Sequence, residues 1–296
     1  MRLAVIGCGK QGRRHLAAVA GLPGIGSLIA ADENAARAAD ASAAVGALAV
    51  PAAEIFDGDA DAVVIATPTA THLDLARRAI DAGKHVLCEK PFGGEPAAAQ
   101  ILADEAARRG LVGRVGYLYR FAPAIASARA GLAAIGAIGE ARFAIAAPGN
   151  HAAWKHRRDE GGGAINELAS HMVDLALWFF GAAACETREI GRARAARRIG
   201  GERVAADAED RIVARLGKCV IEADFAAPRF AQSLAIRGTH GALRASIEGA
   251  PDLYRIQAQS FLAAIAGGAR DDSCDFAEAA RVSAILCAMR RMPPAP

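Results

Sequence analysis

Several marks of specialised protein classes are missing from this sequence. Its six cysteines form no Cys-x-x-Cys pair, so neither a metal site nor a disulfide framework is expected. Such scattered thiols favour buried positions in the reducing cytosol. No apolar run approaches the roughly 20 residues that a transmembrane helix needs. The first residues lack the pattern of a signal peptide, and together these observations predict a cytoplasmic protein.

Strong charge of one sign is also absent. The formal net charge is only +3 at pH 7, so no strong field attracts nucleic acid or an acidic membrane, and neither is expected as a partner. Hydrophobic residues make up 53% of the 296 residues. This composition argues against disorder, and the length predicts two domains rather than one.

A glycine motif follows the first apolar run. The run Leu3 to Ile6 is typical of a buried parallel strand, and the residues after it are Gly7-Cys-Gly9-Lys-Gln-Gly12, which open a helical pattern. In this context the glycines allow a tight turn, close approach to a pyrophosphate, and close packing of helix on strand. A dinucleotide site that includes Lys10 and Gln11 is expected; a glycine turn without a ligand is the alternative.

An aspartate ends the second apolar run. Asp32 lies 20 residues after Gly12, where an acidic residue binds the adenosine ribose of NAD and repels the extra phosphate of NADP. We therefore expect NAD, with NADP as the less favoured cofactor. No arginine adjoins Asp32 in sequence, and Arg37 is the nearest. The alternative is that Asp32 caps a helix over 33–44; the two roles are compatible.

Apolar strands alternate with helices through the first 120 residues. Thr67 and Pro68 directly follow one strand, and Glu89-Lys90-Pro91 follows the next. Such positions lie on the ligand side of an open parallel sheet. The strands are expected at 61–66, 85–88 and 112–118, and the helices at 73–82 and 96–109. This alternation predicts a doubly wound parallel sheet over residues 1–120.

A second glycine loop opens a helix that carries polar residues. Three glycines, 161 to 163, precede apolar residues that recur at three- and four-residue steps from Ile165 to Phe179. Glu167, His171 and Asp174 fall on one face of that helix. A carboxylate one turn before an imidazole is a possible proton-transfer pair. The alternative is a buried helix with a solvated charged edge.

Five segments, in this order, resemble the Gfo/Idh/MocA oxidoreductase family: GCGKQG, ATPTATH, AGKHVLCEKPF, GYLYRFAP and GGGAINELASHMVD. The resemblance implies an α/β protein, with the N-terminal Rossmann domain followed by an α+β domain with an open, mostly antiparallel sheet. The second domain is expected over 121–296, with the alternative that its C-terminal helices pack back on the first domain. An open sheet face further implies a homodimer or homotetramer.

The resemblance assigns roles by position. Lys90 matches the lysine that contacts substrate and nicotinamide, and His171 matches the general acid/base. Glu167 stands where the family usually has aspartate, one methylene shorter; Ala169 replaces a frequent glycine, and the segment from Arg244 to Tyr254 is shorter than usual. The expected cofactor-binding residues are Gly7, Gly9, Lys10, Gln11, Gly12, Asp32, Thr67, Pro68, His72, Glu89 and Lys90.

The residue chemistry agrees with these roles. Histidine suits proton transfer during alcohol oxidation because its unperturbed pKa is about 6.5. Glu167 would orient the imidazole, and Lys90 would stabilise charge on a substrate oxygen. The resemblance favours a secondary alcohol or ketone of a sugar, cyclitol or related polyol as substrate. The alternatives are reduction of an imine or an activated C=C bond, and a non-catalytic dinucleotide-binding sensor.

Remaining polar segments are less informative. The expected substrate-binding residues are Lys90, Arg120, Trp154 and His171. Trp154 lies in the basic stretch 150–159, for which a solvated loop is the alternative. His15, His85 and His240 are interpreted as structural or surface residues. The basic run 192–203 predicts an exposed turn, and alternation over 210–225 predicts a half-exposed sheet.

Overall fold

A computed structural model describes residues 1–148, 152–181, 185–191, 196–199, 202–268 and 272–291. The chain divides into two compact units. The first contains Met1–Leu118 and Asp252–Ala280, and the second contains Tyr119–Pro251 and Arg281–Pro296. Within the described ranges, no helix combines the length and apolar character that a membrane span needs.

The regular elements are numbered along the chain. The strands are β1 (Arg2–Ile6), β2 (Ser27–Asp32), β3 (Leu48–Pro51), β4 (Ala62–Ile65), β5 (His85–Cys88), β6 (Gly113–Val115), β7 (Ile138–Ala146), β8 (Cys185–Gly191), β9 (Ala196–Ile199), β10 (Glu202–Ala205), β11 (Arg211–Leu216), β12 (Cys219–Asp224), β13 (Ala231–Gly238), β14 (Gly241–Ala245) and β15 (Cys274–Asp275). The α-helices are α1 (Lys10–Val19), α2 (Ala35–Ala43), α3 (His72–Asp81), α4 (Pro96–Arg108), α5 (Pro123–Ala130), α6 (Ser170–Phe180), α7 (Leu253–Ile265) and α8 (Phe276–Arg291).

The first unit is built on a seven-stranded sheet in the order β15-β6-β5-β4-β1-β2-β3. Its strands pair in parallel except for β15, which is antiparallel to β6. The strand order reverses at β1, which lies between β2 and β4, and ligands bind at such a switch point beyond the carboxyl ends of the strands. The predicted doubly wound sheet is therefore confirmed.

The core of this unit explains why its strands are apolar throughout. Helices cover the sheet, so β1 buries four consecutive side chains and β4 buries all of its own. Helix α7 packs on α1 and contributes Ala258 and Phe261 to the same core. The strand expected over 112–118 is shorter, because a 3₁₀ turn, Leu118–Phe121, begins soon after β6.

The second unit contains a six-stranded sheet in the order β14-β13-β7-β12-β11-β8. Only the β7–β12 pair is parallel within it. Alternate side chains of β11 and β12 are buried, as the half-exposed pattern predicted. The segment 210–225 forms two antiparallel strands rather than one, because the chain turns at Gly217, where φ is +54°. Strands β9 and β10 pair antiparallel, so residues 196–199 and 202–203 form strands where the sequence predicted an exposed turn. The other residues of the run 192–203 lie outside the described residues.

Helix α6 packs against β7 and β12. It is preceded by a π-helical turn, Ile165–Ala169, where the sequence predicted a continuous α-helix. Gly161 and Gly163 adopt positive φ just before this turn. A Cβ on Gly162 would lie 2.3 Å from the carbonyl oxygen of Lys155, so only glycine fits there. Turns of π-helix occur frequently at functional sites.

The packing of α6 on the sheet predicts unequal costs for two phenylalanines. Phe143, fully buried in β7, contacts Phe179 and Phe180 at centroid distances of 5.5 and 5.8 Å, whereas Phe230 is 50% exposed. Phe143→Ala is expected to lower the free energy of unfolding by about 3–5 kcal/mol. Phe230→Ala removes the same atoms and should cost far less. Urea unfolding monitored by circular dichroism checks this; equal costs would contradict the assigned core.

Candidate cofactor and proton-transfer sites

The sheet of the first unit brings the predicted cofactor residues to one edge. Ile6 is in register with Ala31 and with Ile65, and Ile65 with Cys88. The residues that follow these strands therefore lie side by side: Gly7 after β1, Asp32 at the end of β2, Thr67 after β4, and Glu89 and Lys90 after β5. This is the edge at which an open parallel sheet binds a ligand.

The three motif glycines are needed for different reasons. Gly7 has φ +93°, and a Cβ on Gly12 would lie 1.7 Å from the carbonyl oxygen of Gly7. Both glycines are thus required by the fold. Gly9 has an extended backbone, and a Cβ there would meet nothing within 4 Å. The space beside Gly9, at the start of α1 where helical N–H groups lack intrahelical acceptors, fits the pyrophosphate of a dinucleotide.

Asp32 is oriented by backbone groups. Its Oδ2 accepts from Cys8 N at 2.7 Å, and its Oδ1 accepts from Asn34 N at 2.9 Å. The helix cap is Asn34, whose side chain accepts from Arg37 N, so the capping alternative for Asp32 is wrong. Helix α2 accordingly begins at Ala35 rather than 33.

Arg37 lies beside Asp32 in space, although the two are not adjacent in sequence. Its Nη1 is 3.4 Å from Oδ1 of Asp32. This arginine is half-exposed, while the carboxylate is buried. The ribose-binding position therefore holds a carboxylate and a guanidinium together, a feature that spacing alone did not indicate.

A buried carboxylate supports Lys90. Glu89 Oε1 lies 2.8 Å from His15 Nε2, and Glu89 Oε2 accepts from Lys90 N at 3.1 Å. Burial raises the pKa of Glu89, but the hydrogen bond from His15 and the charges of His15 and Lys90 outweigh it, so the pKa lies below its usual range. Glu89, expected among the cofactor residues, thus links the glycine-loop helix to the backbone of Lys90. His15 is a buried partner of this carboxylate rather than a surface residue.

Gln11 is held by helix α7. Its Nε2 donates to Tyr254 Oη at 2.8 Å, and the Tyr254 ring contacts His15 edge-on at 5.0 Å. Burial, together with the charge of Glu89, raises the pKa of Tyr254 to about 12. Tyr254 therefore stays a neutral phenol. The contact fixes Gln11 at the start of α1, next to the position expected for the cofactor.

His72 ties two loops together. Its Nδ1 is 2.7 Å from the carbonyl oxygen of Pro91, and its Nε2 is 2.9 Å from that of Thr67. Burial lowers the pKa of His72, and the two carbonyls oppose this only in part. Both ring nitrogens are turned toward backbone, so we expect His72 to shape the loop containing Thr67 and Pro68 rather than to contact the cofactor directly.

In the second unit, Arg120 forms a buried ion pair. Its Nη2 and Nε donate to Asp174 Oδ1 at 2.6 and 3.1 Å, and Nε also lies 3.0 Å from Oδ2. The two side chains are 2% and 1% exposed. The substrate-binding role that the sequence proposed for Arg120 stays a prediction, and the ion pair links the 118–121 turn to α6.

Glu167 and His171 occupy different helical types. Glu167 lies in the π-helical turn and His171 in α6, so the α-helical spacing argument does not apply to the pair. Lys155 donates to the carboxylate of Glu167, and its Nζ lies 5.0 Å from the ring centroid of Trp154. His171 is buried and stacks on Tyr119. The sequence did not single out Tyr119 for this contact.

The basic stretch before the glycine loop is paired rather than simply solvated. Arg157 contacts Glu160, and Arg158 lies near Glu209. Asn150 and His151 of that stretch lie outside the described residues. Glu209 Oε1 accepts from Ile165 N at 2.9 Å and so satisfies the start of the π-helical turn. Nothing in its local sequence indicated this role.

Among the described residues, no group of three or more His, Cys, Asp or Glu side chains could hold a metal ion. The arrangement in the first unit instead fits a dinucleotide, with Lys90 at the same edge of the sheet. In the second unit, the imidazole of His171 is buried and stacks on the ring of Tyr119. These are the elements of hydride transfer coupled to proton transfer.

Two family models match the chain. One, described as "Oxidoreductase family, NAD-binding Rossmann fold", matches residues 1–117, and the other, "GFO/IDH/MocA C-terminal domain", matches residues 128–244. These matches confirm the predicted fold class and NAD as the cofactor.

Curated relatives and solved structures are also similar. UDP-N-acetylglucosamine 3-dehydrogenase of Acidithiobacillus ferrooxidans is 35% identical over 64% of this chain and 58% of its own length. Inositol 2-dehydrogenase 1 of Saccharopolyspora erythraea is 36% identical over 47% of this chain and 43% of its own. The matches thus span less than two thirds of these relatives. A solved structure of the Acidithiobacillus ferrooxidans enzyme has a TM-score of 0.80 at 27% identity, covering 98% of this chain and 96% of that one.

The geometry at Gly9 and Gly12 predicts that a substitution at the first weakens cofactor binding and a substitution at the second weakens the fold. Gly9→Ala enters open space, so stability should change by no more than about 0.5 kcal/mol, while NADH affinity falls because the backbone no longer approaches the pyrophosphate closely. Gly12→Ala should destabilise the fold by roughly 1–3 kcal/mol, since its Cβ meets backbone.

Gly26→Ala is the matched control, because the nearest atom to its Cβ would be 3.8 Å away and its φ is not positive. Gly26→Ala should change neither the stability of the fold nor the affinity for NADH. Thermal unfolding and NADH titration by fluorescence measure both effects. Undiminished NADH affinity in Gly9→Ala would contradict the assigned pyrophosphate position.

The Asp32–Arg37 pair predicts how cofactor preference can be changed. The native protein should bind NADH more tightly than NADPH, because Asp32 repels the 2′-phosphate. Asp32→Ser should raise NADPH affinity by at least about tenfold, since Arg37 is then able to bond the phosphate.

Asp81→Ser, which removes the same charge from an exposed residue at the end of α3, serves as the control and should leave the preference unaltered. Titration of both cofactors into each variant measures the ratio of NADPH affinity to NADH affinity. An Asp32→Ser ratio equal to that of the native protein would show that Asp32 does not select the cofactor.

Proposed function

The chain belongs to the Gfo/Idh/MocA oxidoreductase family, as its motifs predicted, and from this premise we propose that it is an NAD-dependent dehydrogenase or reductase. It transfers a hydride between nicotinamide and a secondary alcohol or ketone of a sugar, cyclitol or related polyol. The observation that carries this proposal is the position of Lys90 at the carboxyl end of β5, on the edge where Gly9 and Asp32 lie. The named relatives act on a nucleotide sugar and on inositol, which supports the substrate class.

The first unit would hold NAD through groups that the structure prepares. Backbone N–H groups at the start of α1, beside the open space at Gly9, would bind the pyrophosphate. Asp32, kept in place by Cys8 N and Asn34 N, would accept from the adenosine ribose. NAD supplies the hydride acceptor when bound. Thr67 and Pro68 would line the same edge.

Lys90 would act on the substrate oxygen. Its ammonium would orient the hydroxyl and offset negative charge that develops on that oxygen as hydride leaves the carbon. Glu89 supports this position from behind, because its carboxylate accepts from Lys90 N while His15 holds its other oxygen. A carboxylate paired in this way is satisfied within the unit and fixes the backbone from which Lys90 extends.

His171 would carry the proton. In alcohol oxidation it would take the hydroxyl proton, and in ketone reduction it would return one. Glu167, four residues before His171, pairs with Lys155, so Glu167 would act through the local charge balance as well as by orienting the ring. Trp154, beside Lys155, stays a predicted substrate contact.

The homodimer or homotetramer and the cytoplasmic location stay predictions from the sequence. The outward side chains of β13 include Ala231, Ser233 and Ala235, which are exposed. Small side chains of this kind suit a flat contact between sheets. Light scattering of the purified protein would check the assembly, and a monomer at all working concentrations would argue against it.

The proposed role of His171 predicts that its substitution lowers turnover without changing the affinity for NADH. A panel of sugars, cyclitols and polyols, followed by nicotinamide absorbance with NAD and NADP, first identifies a substrate. His171→Gln should then lower turnover by roughly 10²–10⁴-fold, the contribution of a positioned acid or base. NADH affinity should stay unchanged, because the proposed cofactor residues belong to the first unit.

His240→Gln is the matched control, since His240 is an exposed histidine of the same unit. It should retain native turnover. Steady-state kinetics across the pH range measures both variants. Native turnover in His171→Gln at every pH would remove His171 from the proposed mechanism.

A further inference from the structure

The imidazole of His171 is covered by an aromatic ring. The ring centroids of Tyr119 and His171 are 4.2 Å apart, and the planes differ by 21°. This is a stacked arrangement, with the π-face of the phenol against the face of the imidazole. His171 is buried and Tyr119 is half-buried, so the phenol ring lies on the solvent side of the imidazole.

A buried ion pair joins the two elements that carry these rings. Tyr119 directly precedes Arg120 in the 118–121 turn, and His171 lies one helical turn before Asp174 on α6. Arg120 and Asp174 are joined by the short contact between Nη2 and Oδ1, at 2.6 Å. The ion pair therefore joins the two elements that carry the stacked rings.

We propose that Tyr119 is a positioning residue that fixes the plane of His171 and stabilises its protonated form. The proposal rests on the proposed function, in which His171 takes the substrate proton. An aromatic face carries negative electrostatic potential and attracts a cation placed over it. The imidazolium formed during alcohol oxidation would lie on that face, while a neutral imidazole gains much less from it.

Charged residues also lie on the elements around His171. Close to His171 in the chain, Glu167 pairs with Lys155, and Asp174 pairs with Arg120. Strands β7 and β12, against which α6 packs, carry Arg142 and Glu222, and these two side chains also pair with each other. Stacking on Tyr119 is a further stabilising contact that is specific to the charged ring.

Direct titration of His171 tests the inference without any substrate. The imidazole resonance of His171 is followed by NMR against pH in the full-length protein and assigned by its loss in His171→Gln. In Tyr119→Leu, which keeps bulk but removes the π-face, His171 should titrate roughly half a pH unit lower or more. In Tyr119→Phe, which keeps the ring, the titration should stay close to native.

His240 serves as the internal control for these titrations, and a second variant is available. His240 should titrate identically in every variant, because it lies elsewhere in the unit. Should Tyr119→Leu fail to fold by circular dichroism, Tyr119→Gln replaces it. An unchanged His171 titration in a folded variant without the ring overturns the proposal. A titration that falls equally in Tyr119→Phe also overturns it, because the hydroxyl would then be responsible.

Kinetics separates this inference from the proposed function. With an identified substrate, the pH below which kcat/KM declines should shift down in Tyr119→Leu in parallel with the NMR titration, and kcat should fall more than KM rises. A shifted titration together with native turnover in His171→Gln would support stacking while rejecting the proposed proton transfer. An unmoved titration with full loss of turnover in His171→Gln would reject stacking alone.

Discussion

The placement of the candidate proton-transfer residue depends on a buried ion pair, Arg120 with Asp174. Each side chain is at most 2% exposed, so removing either residue would break a buried ion pair, at a cost of about 3–5 kcal/mol. The carboxylate accepts several hydrogen bonds from one guanidinium, and this planar geometry favours one orientation of the 118–121 turn on α6. The stack of Tyr119 on His171 follows from that arrangement.

The first unit uses the same principle at Glu89. A buried carboxylate must find donors, and it finds one in His15 on the glycine-loop helix and another in the backbone of Lys90. The pairing connects the helix that follows β1 to the loop that follows β5. The cofactor loop and the predicted substrate lysine are consequently positioned by one polar group within the core.

Local patterns in the sequence were sufficient for the architecture. Apolar runs, glycines and prolines are short-range signals, and they located the parallel sheet, the glycine loop and Asp32 at its carboxyl edge. Contacts between distant residues have no such signal: His15 and Glu89 are 74 positions apart, and Arg37 meets Asp32 only through the turn into α2. The π-helical turn at Ile165–Ala169 was also missed, because apolar steps of three and four fit an α-helix equally well.

That turn changes how the site must be understood. Spacing alone presented Glu167 as the group that orients His171, with the longer side chain as a departure from the family's aspartate. In the π-helical turn the extra methylene reaches Lys155, and the resulting ion pair joins the segment before the glycine loop to the segment after it. The observed contact that orients the imidazole of His171 is the face of the Tyr119 ring. A ring face restricts the tilt of the imidazole without occupying either ring nitrogen, which suits a residue that must act in both directions of a reversible hydride transfer.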